Sequence, residues 1–172
     1  MTSFSFPIPD IDKFQLQIFT NDNLLTAIKY EKKKANQKLS FLINMETAVL
    51  QADLTLEVCQ QLQEYFKSAQ FKFNLPLHFC SATKFQKKVW NRLLNIPVGK
   101  TITYGELAAE VKSGARAVAN ACRQNRFPII IPCHRVVSKN GLGGYDGDDK
   151  LTNSDSKLCI KLALLNHEGA SL

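Results

Sequence analysis

Residues 127–132 read Phe-Pro-Ile-Ile-Ile-Pro, and no other stretch limits the fold as sharply. Each proline fixes its φ near about −65° and removes a backbone donor, so an apolar run closed by Pro128 and Pro132 is expected to be a buried, stiff segment. It ends on Cys133, followed at once by His134 and Arg135. Burial raises a thiol's pKa, while neighbouring cationic or basic groups lower it toward the thiolate. Cys133 is therefore the expected nucleophile. The other four cysteines (Cys59, Cys80, Cys122, Cys159) lie in apolar helical or connector surroundings and are expected to be small core residues. Sequence neighbours in an extended chain point to opposite sides, so Cys133 and His134 need a turn or a bridging water to communicate. A cysteine with a histidine also fits a thiol hydrolase, although there the histidine usually comes from elsewhere in the chain.

The rest of the composition narrows the partners. A net charge of +7 favours an anionic partner, and both nucleic acid and acidic membrane surfaces fit it. A hydrophobic share of 45% in 172 residues supports a real core, in one large domain or two small ones. No apolar stretch approaches the ~20 residues of a membrane span, and residues 1–12 do not resemble a signal peptide. Five cysteines without a CxxC pair argue against a disulfide framework or a zinc site. Reduced thiols, a cytoplasmic location, no metal and no cofactor are expected.

Local patterns divide the chain. Residues 14–19 and 24–30 read as strands around the turn Asn21-Asp22-Asn23. Lys32-Lys33-Lys34 reads as a solvated loop or hairpin end. Residues 54–66 place Leu54, Val58, Leu62 and Tyr65 or Phe66 on one helical face, and residues 71–79 read as a connector. Thr83 with Gln86, and Thr103 with Glu106, have capping-box spacing and open two helices. The first carries Phe85, Val89 and Leu93 on one stripe and ends at Pro97 and Gly99; the second turns Leu107, Ala108 and Val111 inward. After the tight turn Lys112-Ser113-Gly114, a third helix over residues 115–123 places Ala115, Val118, Ala119 and Cys122 on one stripe. Arg116, Asn120 and Arg123 fall on the opposite one. That fits a helix-turn-helix, or an ordinary helical hairpin with a solvated basic face.

Pro132-Cys133-His134-Arg135-Val136 resembles the active-site signature of the O6-alkylguanine-DNA alkyltransferases. Phe85-Gln86, Val89-Trp90, Ile96-Pro97 with Gly99, Thr103-Tyr104-Gly105-Glu106-Leu107-Ala108, Arg116-Ala117-Val118 and Asn125 follow in that family's order. The resemblance covers about residues 75–169. It implies a ribonuclease H-like α/β domain over residues 1–80, packed on a mostly α winged-helix domain over residues 81–172. It implies single-turnover repair: O6-alkylguanine, and O4-alkylthymine as a second substrate, flips out of duplex DNA and gives its alkyl group to Cys133. The thioether formed has no carbonyl for water to attack, so a monomeric protein would be spent.

The same resemblance assigns roles. Cys133, His134 and Glu168 would form a relay through water, with Asn125 ordering the turn before the nucleophile. Arg116 would fill the gap left by the base, Tyr104 would help rotate it, and Asn120 and Arg123 would face the DNA. Tyr145, Asp146, Val136 and Lys161 would form the substrate pocket. Lys139-Asn140-Gly141 reads as a hairpin turn, followed over residues 142–147 by a wing or pocket wall. The chain departs from the family pattern over residues 148–156, which read as an insertion at the pocket rim. It also departs at Asp146, where some members carry Ser, and at Ala119 and Asn120, where some carry glycines.

Overall fold

The computed structural model describes residues 2–9, 11–21, 24–33, 52–79, 81–149 and 156–171. Asp22 and Asn23 of the expected turn, Lys34 of the basic run, Cys80, and residues 150–155 of the expected insertion lie outside them. The chain forms two compact units, Met1–His78 and Phe79–Leu172.

The first unit is mixed α/β. Three antiparallel strands, β1 (Thr2–Pro7), β2 (Phe14–Asn21) and β3 (Leu24–Lys32), lie in that order, and helix α1 (Ala52–Lys67) packs on β2. The sequence reading had no strand at β1. Phe14, Leu16 and Ile18 alternate into the core as the pleat requires. On β3 the buried residues are Leu25, Ile28 and Tyr30, which breaks that alternation. A bulge explains it: Phe19 pairs with Ala27 and Thr20 with Leu25, leaving Thr26 extra, and the Thr26 hydroxyl donates to the Phe19 carbonyl at 3.0 Å. The inserted residue switches the parity, so both halves of β3 face one core. On α1, Leu54, Val58, Leu62 and Tyr65 are buried, matching the expected stripe.

The second unit is largely helical. It holds α2 (Lys84–Leu94), α3 (Tyr104–Glu110), α4 (Ala115–Arg123) and α5 (Leu158–His167), with a two-residue parallel pairing of β4 (Ile102–Thr103) and β5 (Val136–Val137). Both capping boxes form. The Thr103 Oγ1 accepts the Glu106 N–H at 3.1 Å and Glu106 Oε2 accepts the Thr103 N–H at 2.8 Å, so α3 begins at Tyr104 and fixes that side chain. Thr103→Ala is expected to cost about 1 kcal/mol of folding stability, read as a lower urea midpoint. No described helix is long and apolar enough to cross a membrane.

Helix α4 differs from its expected wheel. Its buried residues are Val118, Ala121 and Cys122, whereas Ala115 is exposed and Ala119 half-buried. Residues 112–117 are all exposed, so the first turn of α4 projects into solvent whichever way its side chains point. The Trp90 indole N–H donates to the Ala121 carbonyl at 2.8 Å, which draws that face of α4 onto α2. Arg116, Asn120 and Arg123 are exposed, as expected.

Candidate active site

The site starts with a clamp after α4. The Asn125 Oδ1 accepts the Phe127 N–H at 2.9 Å, while its Nδ2 donates to the Ile131 carbonyl at 2.8 Å and to Cys133 Sγ at 3.2 Å. One side chain thus holds both ends of the proline-bounded run, whose residues from Phe127 to Pro132 are all buried. Pro132, at φ −80° and ψ 64°, sits inside a γ-turn closed by the Cys133 N–H on the Ile131 carbonyl at 2.8 Å. Ile129 adopts φ 74°, a strained value for a β-branched residue that the clamp holds in place. A 3-10 turn over Cys133–Arg135 follows, supplying the bend that separates the thiol from the imidazole.

Cys133 is buried, and burial pushes its thiol pKa up. The Asn125 amide, the Lys161 ammonium and a hydrogen bond with Tyr145 pull it back down, while the Asp146 charge raises it. The groups that act directly on the thiol to favour the thiolate are therefore Asn125, Lys161 and Tyr145, where the sequence reading had the adjacent His134 and Arg135. Lys161 is fully buried on α5 and donates to the carbonyls of Val136, Leu142 and Gly144 at 2.6, 2.6 and 3.1 Å. Burial brings its pKa down to about 8, against the opposing charges of Cys133 and Cys122. The Tyr104 hydroxyl donates to the same Gly144 carbonyl at 3.1 Å, and burial first, then the two cysteines, keep that phenol protonated.

Behind the thiol lies a charged cluster. His134 is fully buried, with Nε2 2.9 Å from Glu168 Oε1. Glu168 caps α5 and also takes Arg135 Nε and Nη2, both at 2.8 Å, while Arg135 Nη1 donates to the Ile96 carbonyl at 2.5 Å. Burial pulls the Glu168 pKa upward, but the bonds from His134 and Arg135 prevail and hold it well below the carboxylate range. An ionised carboxylate only accepts, so the His134 proton sits on Nε2 and Nδ1 presents a lone pair. Nδ1 is buried and has no hydrogen-bond partner among the described residues. Burial lowers the His134 pKa more than Glu168 restores it, so the imidazole is neutral.

These shifts set a pH dependence of stability. Below about pH 6.5 an unfolded histidine takes a proton that buried His134 refuses, so stability falls as the pH drops. Glu168 acts in the same direction further down: its contribution is present above about pH 4.3, the unfolded value, and is lost as its folded carboxyl titrates. The denaturant midpoint is expected to fall between pH 7 and 5 and more steeply below. A flat profile over that range contradicts the assignment.

Beside the thiol lies an open cavity of about 330 Å³. Cys133, Tyr104, Asn120, Arg123, Tyr145 and Asp146 line it, which brings six of the expected site residues together. Val136 and Lys161 are not among the residues on its wall; Lys161 holds the Val136 carbonyl at 2.6 Å. The reason is that the lysine's three donors are spent on carbonyls of residues 136–144. Arg116 stands exposed, away from the lining. Of the segment expected as a wing or pocket wall, residues 144–147 line the cavity: Tyr145 and Asp148 exchange backbone bonds at 2.7 and 2.9 Å across Asp146 (φ 46°) and Gly147 (φ 99°), a tight two-residue turn. Asp146 pairs with Lys157, and Asp148 accepts the Lys157 N–H at 2.6 Å, tying that turn to the start of α5. Sequence reasoning missed Arg135 as the partner of Glu168, and Cys122, which also lines the cavity. The alternation of Arg135 with His134 gave no local signal for a shared acceptor, and Cys122 read as core. Among the described residues, no group of three or more His, Cys, Asp or Glu is arranged to hold a metal ion.

The chain matches the family model described as 6-O-methylguanine DNA methyltransferase, DNA binding domain, over residues 84–170. It is 46% identical over 118 residues to the constitutive methylated-DNA–protein-cysteine methyltransferase of Bacillus subtilis, covering 67% of this chain and 66% of that one. The chain thus spans just under two thirds of that relative's length. Among solved structures it resembles the crystal structure of Mycobacterium tuberculosis O6-methylguanine methyltransferase at TM-score 0.70 and 28% identity, covering 97% of this chain and 92% of that one. It also resembles the crystal structure of that organism's OGT in complex with DNA, at TM-score 0.64 and 30% identity, covering 90% and 86%. With a family match over half of its length, this chain belongs to the 6-O-methylguanine DNA methyltransferase family.

Proposed function

We propose that this protein repairs DNA by direct reversal, transferring the alkyl group of O6-alkylguanine to Cys133 once per molecule. One observation carries the reading: Cys133 Sγ lies on the wall of an open cavity, one residue from a neutral imidazole fixed by an ionised glutamate. A thiol proton passes through a bridging water to His134 Nδ1, and Glu168 stabilises the imidazolium formed. The thiolate then attacks the alkyl carbon; the carbon–O6 bond breaks and its electron pair stays on guanine. Donors around the cavity offset that developing charge. The product is a thioether, which water does not reopen.

In this reading the second unit is a winged-helix-like domain, with α3 and α4 as its helix-turn-helix, and the first is ribonuclease H-like. The exposed Arg116, Asn120 and Arg123 face the duplex, Arg116 taking the place of the flipped base. Support comes from the net charge of +7 and from the DNA bound in the M. tuberculosis complex. The test is a duplex carrying labelled O6-methylguanine, supplied in excess. Label is expected on Cys133 up to about one per protein, and none after Cys133→Ala. Label that turns over, or that appears on another residue, defeats the proposal.

A further inference from the structure

Among the described residues, the mechanism leaves one buried cysteine unused. Cys122, in the last turn of α4, lines the same cavity as Cys133. Asn125 binds to both: its N–H donates to the Cys122 carbonyl at 3.1 Å and its Nδ2 to Cys133 Sγ at 3.2 Å. Both cysteines are reduced here, and Lys161 and Tyr104 each interact electrostatically with both. Two cysteines therefore line the one cavity that a small molecule would enter.

We propose that Cys122 is a resolving thiol for Cys133, so that a hydroperoxide entering the cavity converts the pair to a Cys122–Cys133 disulfide and shuts the acceptor off reversibly. In the first step the Cys133 thiolate attacks the peroxide's terminal oxygen; the O–O bond breaks, the sulfur becomes a sulfenic acid, and hydroxide or alkoxide leaves. In the second the Cys122 sulfur attacks that sulfenic sulfur, the S–O bond breaks, and the hydroxyl departs as water with the Cys122 proton. One equivalent of peroxide is reduced for each disulfide formed. The Asn125 Nδ2 donates to Cys133 Sγ at 3.2 Å, a hydrogen bond that stabilises charge on that sulfur and marks Cys133 as the thiol oxidised first. The proline-bounded run already holds the chain between the two cysteines in a compact turn, so little entropy is left to lose on closing the loop. The acceptor role of Cys133 rests on the proposed function; the cross-link itself does not.

The test oxidises the full chain with hydrogen peroxide, blocks remaining thiols with N-ethylmaleimide, and maps tryptic peptides without reduction. Residues 117–123 and 127–135 fall in separate peptides, so a cross-link between them, two hydrogens lighter than their sum, is expected. Alkyl transfer should be lost with the cross-link and regained with dithiothreitol. In Cys122→Ser, Cys133 should go on to the sulfinic acid, and the lost transfer should not return, each judged against that variant's own untreated level. Cys159→Ser should keep the cross-link. A Cys133 that stays reduced, that reaches sulfinic acid equally fast in the parent and in Cys122→Ser, or that pairs with another cysteine overturns the proposal. The parent's cross-link is read by mass alone, so it stands or falls separately from alkyl transfer, and without relying on any variant's folding.

Discussion

Glu168→Gln is expected to lower the rate of alkyl transfer by about 10²–10⁴-fold, the usual worth of a positioned base. The substitution keeps shape but exchanges an acceptor for a group with its own N–H donors. Glu168 now receives His134 Nε2 on one oxygen and Arg135 on both. An amide nitrogen turned toward His134 reverses the tautomer: Nε2 becomes the acceptor, the proton moves to Nδ1, and the Nδ1 lone pair that the proposed relay needs is lost. Glu168→Ala adds a folding penalty. It leaves the nearly buried Arg135 guanidinium without its partner, which costs about 3–5 kcal/mol. Single-turnover rates on an O6-methylguanine duplex and urea midpoints separate the two effects. A Gln variant that transfers within about threefold of the parent removes Glu168 from the relay.

The second large effect is expected at Arg116. It is exposed on the projecting first turn of α4, away from the cavity lining, so its substitution leaves the thiol, Asn125 and the His134 cluster untouched. If it holds the flipped nucleotide's place in the stack, Arg116→Ala forfeits part of the few kcal/mol that flipping costs. Transfer from duplex DNA should fall by about 10²-fold, since each 1.36 kcal/mol is a factor of ten. Reaction with free O6-benzylguanine base should stay within about twofold, because nothing needs to be flipped. Equal losses on both substrates would show that Arg116 acts on the chemistry and not on extrusion.

How much of this was legible beforehand follows from the range of the interactions involved. The role of Asn125 came from the family resemblance alone, whereas both capping boxes formed where the spacing put them, because a cap bonds to backbone only three residues away. The nucleophile was readable because its proline-bounded approach is written in consecutive residues. The bulge at Thr26 was not readable: it exists only in the pairing of β2 with β3, and it decides that Leu25 faces the core. Nor was the inward face of α4, since Ala115 is exposed by the projection of its turn and Ala121 is drawn in by Trp90, 31 residues away in sequence.

The sequence by itself determined which sulfur is delivered by a rigid, buried approach, where α2 and α3 begin, and that Arg116, Asn120 and Arg123 share an exposed stripe of α4. Those features depend on neighbours within a turn or two. Only the tertiary structure decided what tunes that sulfur. It turned Arg135 onto Glu168, set Lys161 on the carbonyls of Val136, Leu142 and Gly144, and brought Cys122 and Cys133 to the lining of one cavity. Charge partners and burial arise where distant segments meet in space, and a pKa responds to that meeting, not to adjacency along the chain.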